Sequence, residues 1–108
     1  MKQCSSEVRG DWTVVVLGGE VDLSWSQQVR RAVLDALAAA DSVAVDLAQV
    51  EYIDSSGIAA LVEGFQSARG RGKAFVLLQP SDPVNAVLRL ARLDKVFRIV
   101  PTLEPTAG

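Results

Sequence analysis

Short β-branched runs alternate along this chain with apolar stripes of three-to-four-residue period, and that repeated change of period restricts its fold more than any other feature. Residues 12–17 hold a tryptophan, a threonine, three valines and a leucine, a run expected to form a strand that Gly18 and Gly19 end. A shorter strand over 4–8 is expected before it. The intervening Arg9-Gly10-Asp11 makes the two a hairpin, because Gly10 is free to take positive φ. From Ser24 the period changes: Val29, Ala32, Val33, Ala36, Leu37 and Ala40 make one stripe of a helix, with Ser24 and Gln27 in capping-box spacing at its start. Residues 43–47 are an apolar run long enough for a short buried strand. A second helix is expected from Ser55 or Ser56, carrying Ile58, Leu61, Val62 and Phe65 and closing at Gly70 and Gly72. Residues 74–78 read as a strand covered on both faces. Asp82 and Pro83 supply the cap and first turn of a third helix with Val84, Val87, Leu88 and Ala91, and 96–100 is the last strand. The order is ββαβαβαβ. It predicts an α/β fold in one domain over residues 1–100, a mixed and mainly parallel sheet with helices packed against it, followed by a C-terminal tail over 101–108.

Composition narrows the chemistry. At 108 residues the chain has one small core, and 49% hydrophobic with 22% charged residues is ordinary globular usage. Eleven Lys+Arg against thirteen Asp+Glu leave a net charge of -2, which does not supply the basic footprint of a general nucleic-acid binder. There is no histidine, so no triad with a histidine base and no zinc site with histidine ligands is available. The single cysteine, Cys4, permits no internal disulfide and reads as a half-buried residue of the first strand. No metal or cofactor is expected. No apolar run approaches the length of a membrane span, and the start lacks the apolar centre of a signal peptide, so the expected location is the cytoplasm without membrane insertion.

The richest segment is Asp54-Ser55-Ser56-Gly57-Ile58, a carboxylate and two hydroxyls at an expected helix start. Two readings are open on these residues alone. Aspartate and serine cap the orphan N–H groups of a first turn. Equally, a phosphate carried on a hydroxyl at that place meets free N–H donors and the positive end of the helix dipole. Gly57 is a poor helix former in a first turn. Its missing side chain is expected to let a partner approach the backbone beside Ser55, the alternative being a backbone angle that other residues avoid. Other features read as scaffold. The basic segment around Gly70 and Gly72 lacks phosphate-loop spacing and is a solvated helix exit. Arg89, Arg92, Lys95 and Arg98 are read as a solvated face. Trp25, four before Val29 and beside Leu23, either extends the core stripe, the reading preferred here, or forms an exposed anchor.

Three segments in one order carry a family likeness: Ile53-Asp54-Ser55-Ser56-Gly57 before a small-residue helix, Gly19-Glu20-Val21-Asp22 before the first helix, and residues 90–97, LARLDKVF. Together they resemble the STAS domain, the family of bacterial anti-sigma factor antagonists, over nearly the whole chain. The resemblance implies that Ser55, directly after the motif aspartate, is the phosphorylated serine and Ser56 its neighbour. It implies that Asp22 lies on the loop beside that serine and takes part in partner contact. Asp22, Asp54, Ser55, Ser56, Gly57 and Ile58 are thus the expected partner-binding residues. The family often has a further glycine where this chain has Ala59. By the same resemblance the unphosphorylated domain binds an anti-sigma factor that is also a serine kinase, phosphorylation at Ser55 ends the binding, and a phosphatase resets it. The other role implied by the family is that of a small cytoplasmic subunit docking on the ATPase of an ABC transporter of the phospholipid-moving Mla type. Neither role makes the chain an enzyme, and a hydrolase built on Ser55 finds no histidine base and no lysine nearby in sequence to activate the hydroxyl.

Overall fold

In the computed structural model, residues 3–103 are described, and they follow the expected order. The strands are β1 (Gln3–Arg9), β2 (Trp12–Val21), β3 (Ser42–Ile53), β4 (Ala74–Leu78) and β5 (Arg98–Val100). The helices are α1 (Ser26–Ala39), α2 (Ser55–Gly70) and α3 (Asp82–Leu90). The sheet order is β1-β2-β3-β4-β5, with β1 antiparallel to β2 and every later pair parallel. Each parallel strand is thus added on the same side of its predecessor. Crossovers of one hand then carry every helix to the same face of the sheet, and the topology has no reversal at which a ligand crevice would open.

The main core lies under the helices and joins Val15, Leu17, Val45, Leu47 and Leu77 of the sheet to Val29, Val33 and Leu37 of α1, Leu61 of α2, and Val84 and Leu88 of α3. On the opposite face Trp12, Val14, Ala44, Val76 and Leu78 form a second, smaller cluster, with Leu103 packed against it. Alternate residues of β4 serve the two cores, which is why the strand reads as apolar throughout.

Several boundaries differ from the sequence expectation, each for a physical reason. Gly18 and Gly19 do not end β2, which continues to Val21. Gly19 has φ +77°, and register shifts between Val16 and Gly18 and between Gly19 and Glu20 show that the glycines sit beside bulges. In both shifts the extra residue is on β3, which runs on to Ile53 instead of stopping at 47. The α1 helix begins at Ser26 with Trp25 at the cap position, and Ser24 serves the preceding turn instead. Ser81, not Asp82, precedes α3, and its hydroxyl donates to the Val50 carbonyl (2.6 Å). Ala91 is exposed, and β5 starts at Arg98 because residues 91–97 form a turn that buries Phe97 against Phe65 and Phe75. Of the expected tail, 101–103 is described, with the Pro101 carbonyl accepting from Gln79 Nε2 (2.9 Å), and 104–108 lies outside the described residues.

Candidate functional site

The site is built where β2 and β3 end together. Val21 and Ile53 are register partners, so the residues that follow them, Asp22 and Asp54, leave the sheet side by side. The Asp54 N–H donates back to the Val21 carbonyl (3.2 Å), which ties the start of α2 to the end of β2. Each aspartate then organises the turn after it in the same way. Asp22 Oδ1 accepts from the Ser24 hydroxyl (2.6 Å) and the Ser24 N–H (3.1 Å). Asp54 Oδ1 accepts from the Ser56 hydroxyl (2.6 Å), the Ser56 N–H (2.9 Å) and the Gly57 N–H (3.2 Å). Asp54 is therefore the N-cap of α2 and satisfies two of its orphan donors. The Ser56 hydroxyl, with the Gly57 and Ser56 N–H groups, holds the Asp54 carboxyl below the ordinary carboxylate range, while loss of solvent around it and, less, the nearby charge of Asp22 work against this.

This arrangement separates the two serines. Ser56 is half-buried and its hydroxyl proton is committed to Asp54. Ser55 is exposed, at the first position of α2, and among the described residues its hydroxyl has no hydrogen-bond partner. Gly57 and Ile58 go the other way, both buried beneath the tip. A Cβ on Gly57 would lie 2.7 Å from Ile53 Cγ1 and 2.8 Å from the Val21 carbonyl oxygen. The expectation that a partner approaches the bare backbone there is corrected: the sheet occupies that space. The alternative, an unusual backbone angle, is also set aside, since Gly57 has ordinary helical backbone without positive φ.

Around Ser55 the surface carries two apolar groups, Leu23 at 76% and Tyr52 at 52% exposure. Leu23, Ser26, Gln27, Ser56, Ala59 and Glu63 line a groove between the first turns of α1 and α2. It is spanned by an ion pair from Arg30 Nε to Glu63 Oε2 (2.5 Å). Trp25 is half-buried against the main core, as the preferred reading has it. Tyr52 was not singled out from the sequence, yet a signal was there: Val50-Glu51-Tyr52-Ile53 puts two polar-edged residues between two buried ones, which breaks strand alternation as a bulge does.

Residues 4–101 match the family described as "Mlab, STAS domain". The chain belongs to the STAS domain family. Its relatives include the Thermotoga maritima protein named "Putative anti-sigma factor antagonist", 35% identical over 57 residues, an alignment covering 53% of this chain and 50% of that protein. The chain thus spans about half the length of that relative. The anti-sigma-B factor antagonist of Listeria monocytogenes is 28% identical over 79% of this chain and 75% of that protein. The STAS fold is equally plain in solved structures. An anti-sigma factor antagonist from Mycobacterium paratuberculosis superposes with a TM-score of 0.85 at 24% identity, covering 95% of this chain and 88% of that one. The Bacillus cell-fate determinant SpoIIAA in its phosphorylated form superposes with a TM-score of 0.70 at 20% identity, covering 93% and 91%. Among the described residues of this STAS domain no helix is long and apolar enough to cross a membrane, and no group of three or more carboxylates or thiols is placed to hold a metal ion.

Proposed function

We propose that this STAS domain is an anti-sigma factor antagonist: unphosphorylated, it binds an anti-sigma factor with serine kinase activity through the tip that carries Asp22, Asp54 and Ser55, and phosphorylation of Ser55 ends that binding. The observation that carries the reading is the contrast between the exposed, uncommitted Ser55 hydroxyl and the Ser56 hydroxyl held by Asp54. In the transfer, Ser55 Oγ attacks the γ-phosphorus of the kinase's ATP, the bond to the bridging oxygen of departing ADP breaks, and the hydroxyl proton passes to a base of the kinase. The domain supplies the acceptor and its position, with no catalysis of its own. A phosphatase hydrolyses the phosphoserine and restores the binding form. The names of the Thermotoga and Listeria relatives favour this role over docking on a transporter ATPase, and the phosphorylated Bacillus neighbour is an instance of the same fold bearing the group. The reading places the chain in the cytoplasm, acting on transcription through a protein partner and not through nucleic acid.

The switch follows from charge. A phosphoserine adds roughly two negative charges beside two carboxylates. The nearest cation of the groove, Arg30, is already paired with Glu63. Instead of folding the added charge into a new internal clamp, the tip presents it to the partner, whose surface fits a neutral hydroxyl. Incubation with the cognate kinase and ATP, followed by phosphopeptide mass spectrometry, is expected to place the phosphoryl group on Ser55. Modification confined to Ser56, or a Ser55→Asp variant that binds the anti-sigma factor as the unmodified chain does, overturns the reading. That variant is expected to fold normally, because a carboxylate at a helix N-terminus gains about 0.3–1 kcal/mol from the dipole, which offsets repulsion from its two acidic neighbours.

A further inference from the structure

All three helices run from the end of the sheet that carries Ser55 toward the opposite end, and there the chain leaving α3 carries a dense run of cations. Residues 89–98 read RLARLDKVFR, with Arg89, Arg92, Lys95 and Arg98 all exposed against the one carboxylate of Asp94. Among the described residues none of these four cations has a carboxylate within 4.0 Å, although the chain as a whole is acidic, with a net charge of -2. Between the cations stand two exposed large aliphatic groups, Leu90 at 87% and Val96 at 46%. Arg89 lies in the last turn of α3, where a cation suits the dipole, but Arg92, Lys95 and Arg98 lie beyond the helix, so the dipole does not account for them.

The backbone supplies a second, independent observation. The Leu93 N–H donates to the Leu88 carbonyl (2.8 Å) and the Arg92 N–H to the Arg89 carbonyl (3.0 Å), the bond pattern that ends a helix through one left-handed residue. That residue is Arg92, at φ +59°. Glycine occupies such a position without strain, and a long side chain does not. An arginine held in a conformation it disfavours, at the centre of an unpaired basic and aliphatic edge, points to a use for its side chain.

We propose that this edge is a docking surface on which the domain rests against an anionic phospholipid bilayer, the four cations meeting headgroup charge and Leu90 and Val96 entering the interfacial layer. A bilayer fits these features better than the other polyanions. The aliphatic tips project and need no complementary pocket in a fluid interface, and burying them adds to the electrostatic attraction. A single-stranded nucleic acid is held largely by stacking of its bases on exposed aromatic rings, whereas Phe97, the one aromatic of the segment, is buried, and the exposed aliphatic groups have no role against phosphates. The edge is remote from the switch: Phe97 packs against Phe65, ten residues into α2 from Ser55 and so about 15 Å along the helix axis. A domain docked by this edge keeps its phosphorylatable tip turned away from the lipid.

The test is co-sedimentation of the full chain with vesicles of phosphatidylcholine alone or mixed with phosphatidylglycerol. Binding to the mixed vesicles alone, falling as salt rises, is expected. Arg92→Gly removes one cation and relieves the backbone, so it should melt at the same or a higher temperature while partitioning about fivefold less, the equivalent of about 1 kcal/mol per cation near an anionic surface. Leu90→Ser should weaken binding at low and at high salt alike. Equal partitioning to both vesicle types, an Arg92→Gly variant that binds as before, or binding of single-stranded RNA or polyglutamate by these residues while vesicles stay unbound, each overturns the proposal.

Discussion

At Asp54 one oxygen accepts three hydrogen bonds, and this residue sets both the start of α2 and the difference between its two neighbouring serines. Asp54→Ala leaves the Ser56 and Gly57 N–H groups without their acceptor and should cost about 1 kcal/mol at neutral pH. The pH dependence has a definite sign. The folded-state pKa of Asp54 is lowered, so its contribution is present above the ordinary carboxylate value and is lost as pH falls through the folded value. The gap in melting temperature between the unmodified chain and Asp54→Ala should therefore be widest at neutral pH and narrow below about pH 4, read by thermal unfolding across that range. A gap constant with pH would mean that the cap acts without its charge. At this scale the sequence was only partly legible. The residues of the tip stand together in it as Asp-Ser-Ser-Gly, but which hydroxyl is committed depends on where Asp54 points, and that is decided by the bond from its N–H to Val21 in a distant strand.

On the buried side of α2, Gly57, Ala60, Gly64 and Ala68 line up against the sheet and α1. Large residues mark a helix stripe in a sequence, and the stripe of Ile58, Leu61, Val62 and Phe65 led to the right helix, yet Val62 and Phe65 are only half-buried while the small residues make the closest approach. A Cβ on Gly64 would lie 2.6 Å from Val33 Cγ1 and 3.2 Å from the Phe75 ring, both buried side chains, whereas one on Gly57 also meets the Val21 carbonyl in fixed backbone. Both Gly57→Ala and Gly64→Ala gain about 1 kcal/mol of helix propensity, and overpacking costs about 1–3 kcal/mol, so the balance turns on what can move. Gly57→Ala is expected to be the more destabilising of the two, measured by urea denaturation. It should also weaken partner binding by displacing Ser55. Equal stabilities would show that the β2 end yields as easily as the side chains around Gly64. Strands were harder to bound than helices for a related reason: β2 and β3 continue through Gly18, Gly19 and a polar stretch because their pairing with each other, absent from any local pattern, overrides the turn signal of the glycines.

The whole molecule is one sheet with a core on each face, and this could not be read from element order alone, since alternating strands and helices fit helices on one face or on both. The same strands serve both clusters: Val15 and Leu17 of β2 lie in the main core while Trp12 and Val14 lie in the second, and Leu77 and Val76 of β4 divide likewise. Residues that share a strand backbone cannot leave one core without disturbing the other. The two cores should therefore unfold as a unit, as small single domains usually do. The two tryptophans report on the faces separately, since Trp12 is a member of the second cluster and Trp25, at the start of α1, packs against the main core. In the single-tryptophan variants Trp12→Phe and Trp25→Phe, urea transitions followed by fluorescence should each coincide with loss of circular dichroism in the same protein. An earlier fluorescence transition in Trp25→Phe alone, where Trp12 is the remaining probe, would mean that the helix-free face opens independently. The ten-residue span of β2, which pairs with β1 on one side and with β3 on the other, makes the single transition the expected result.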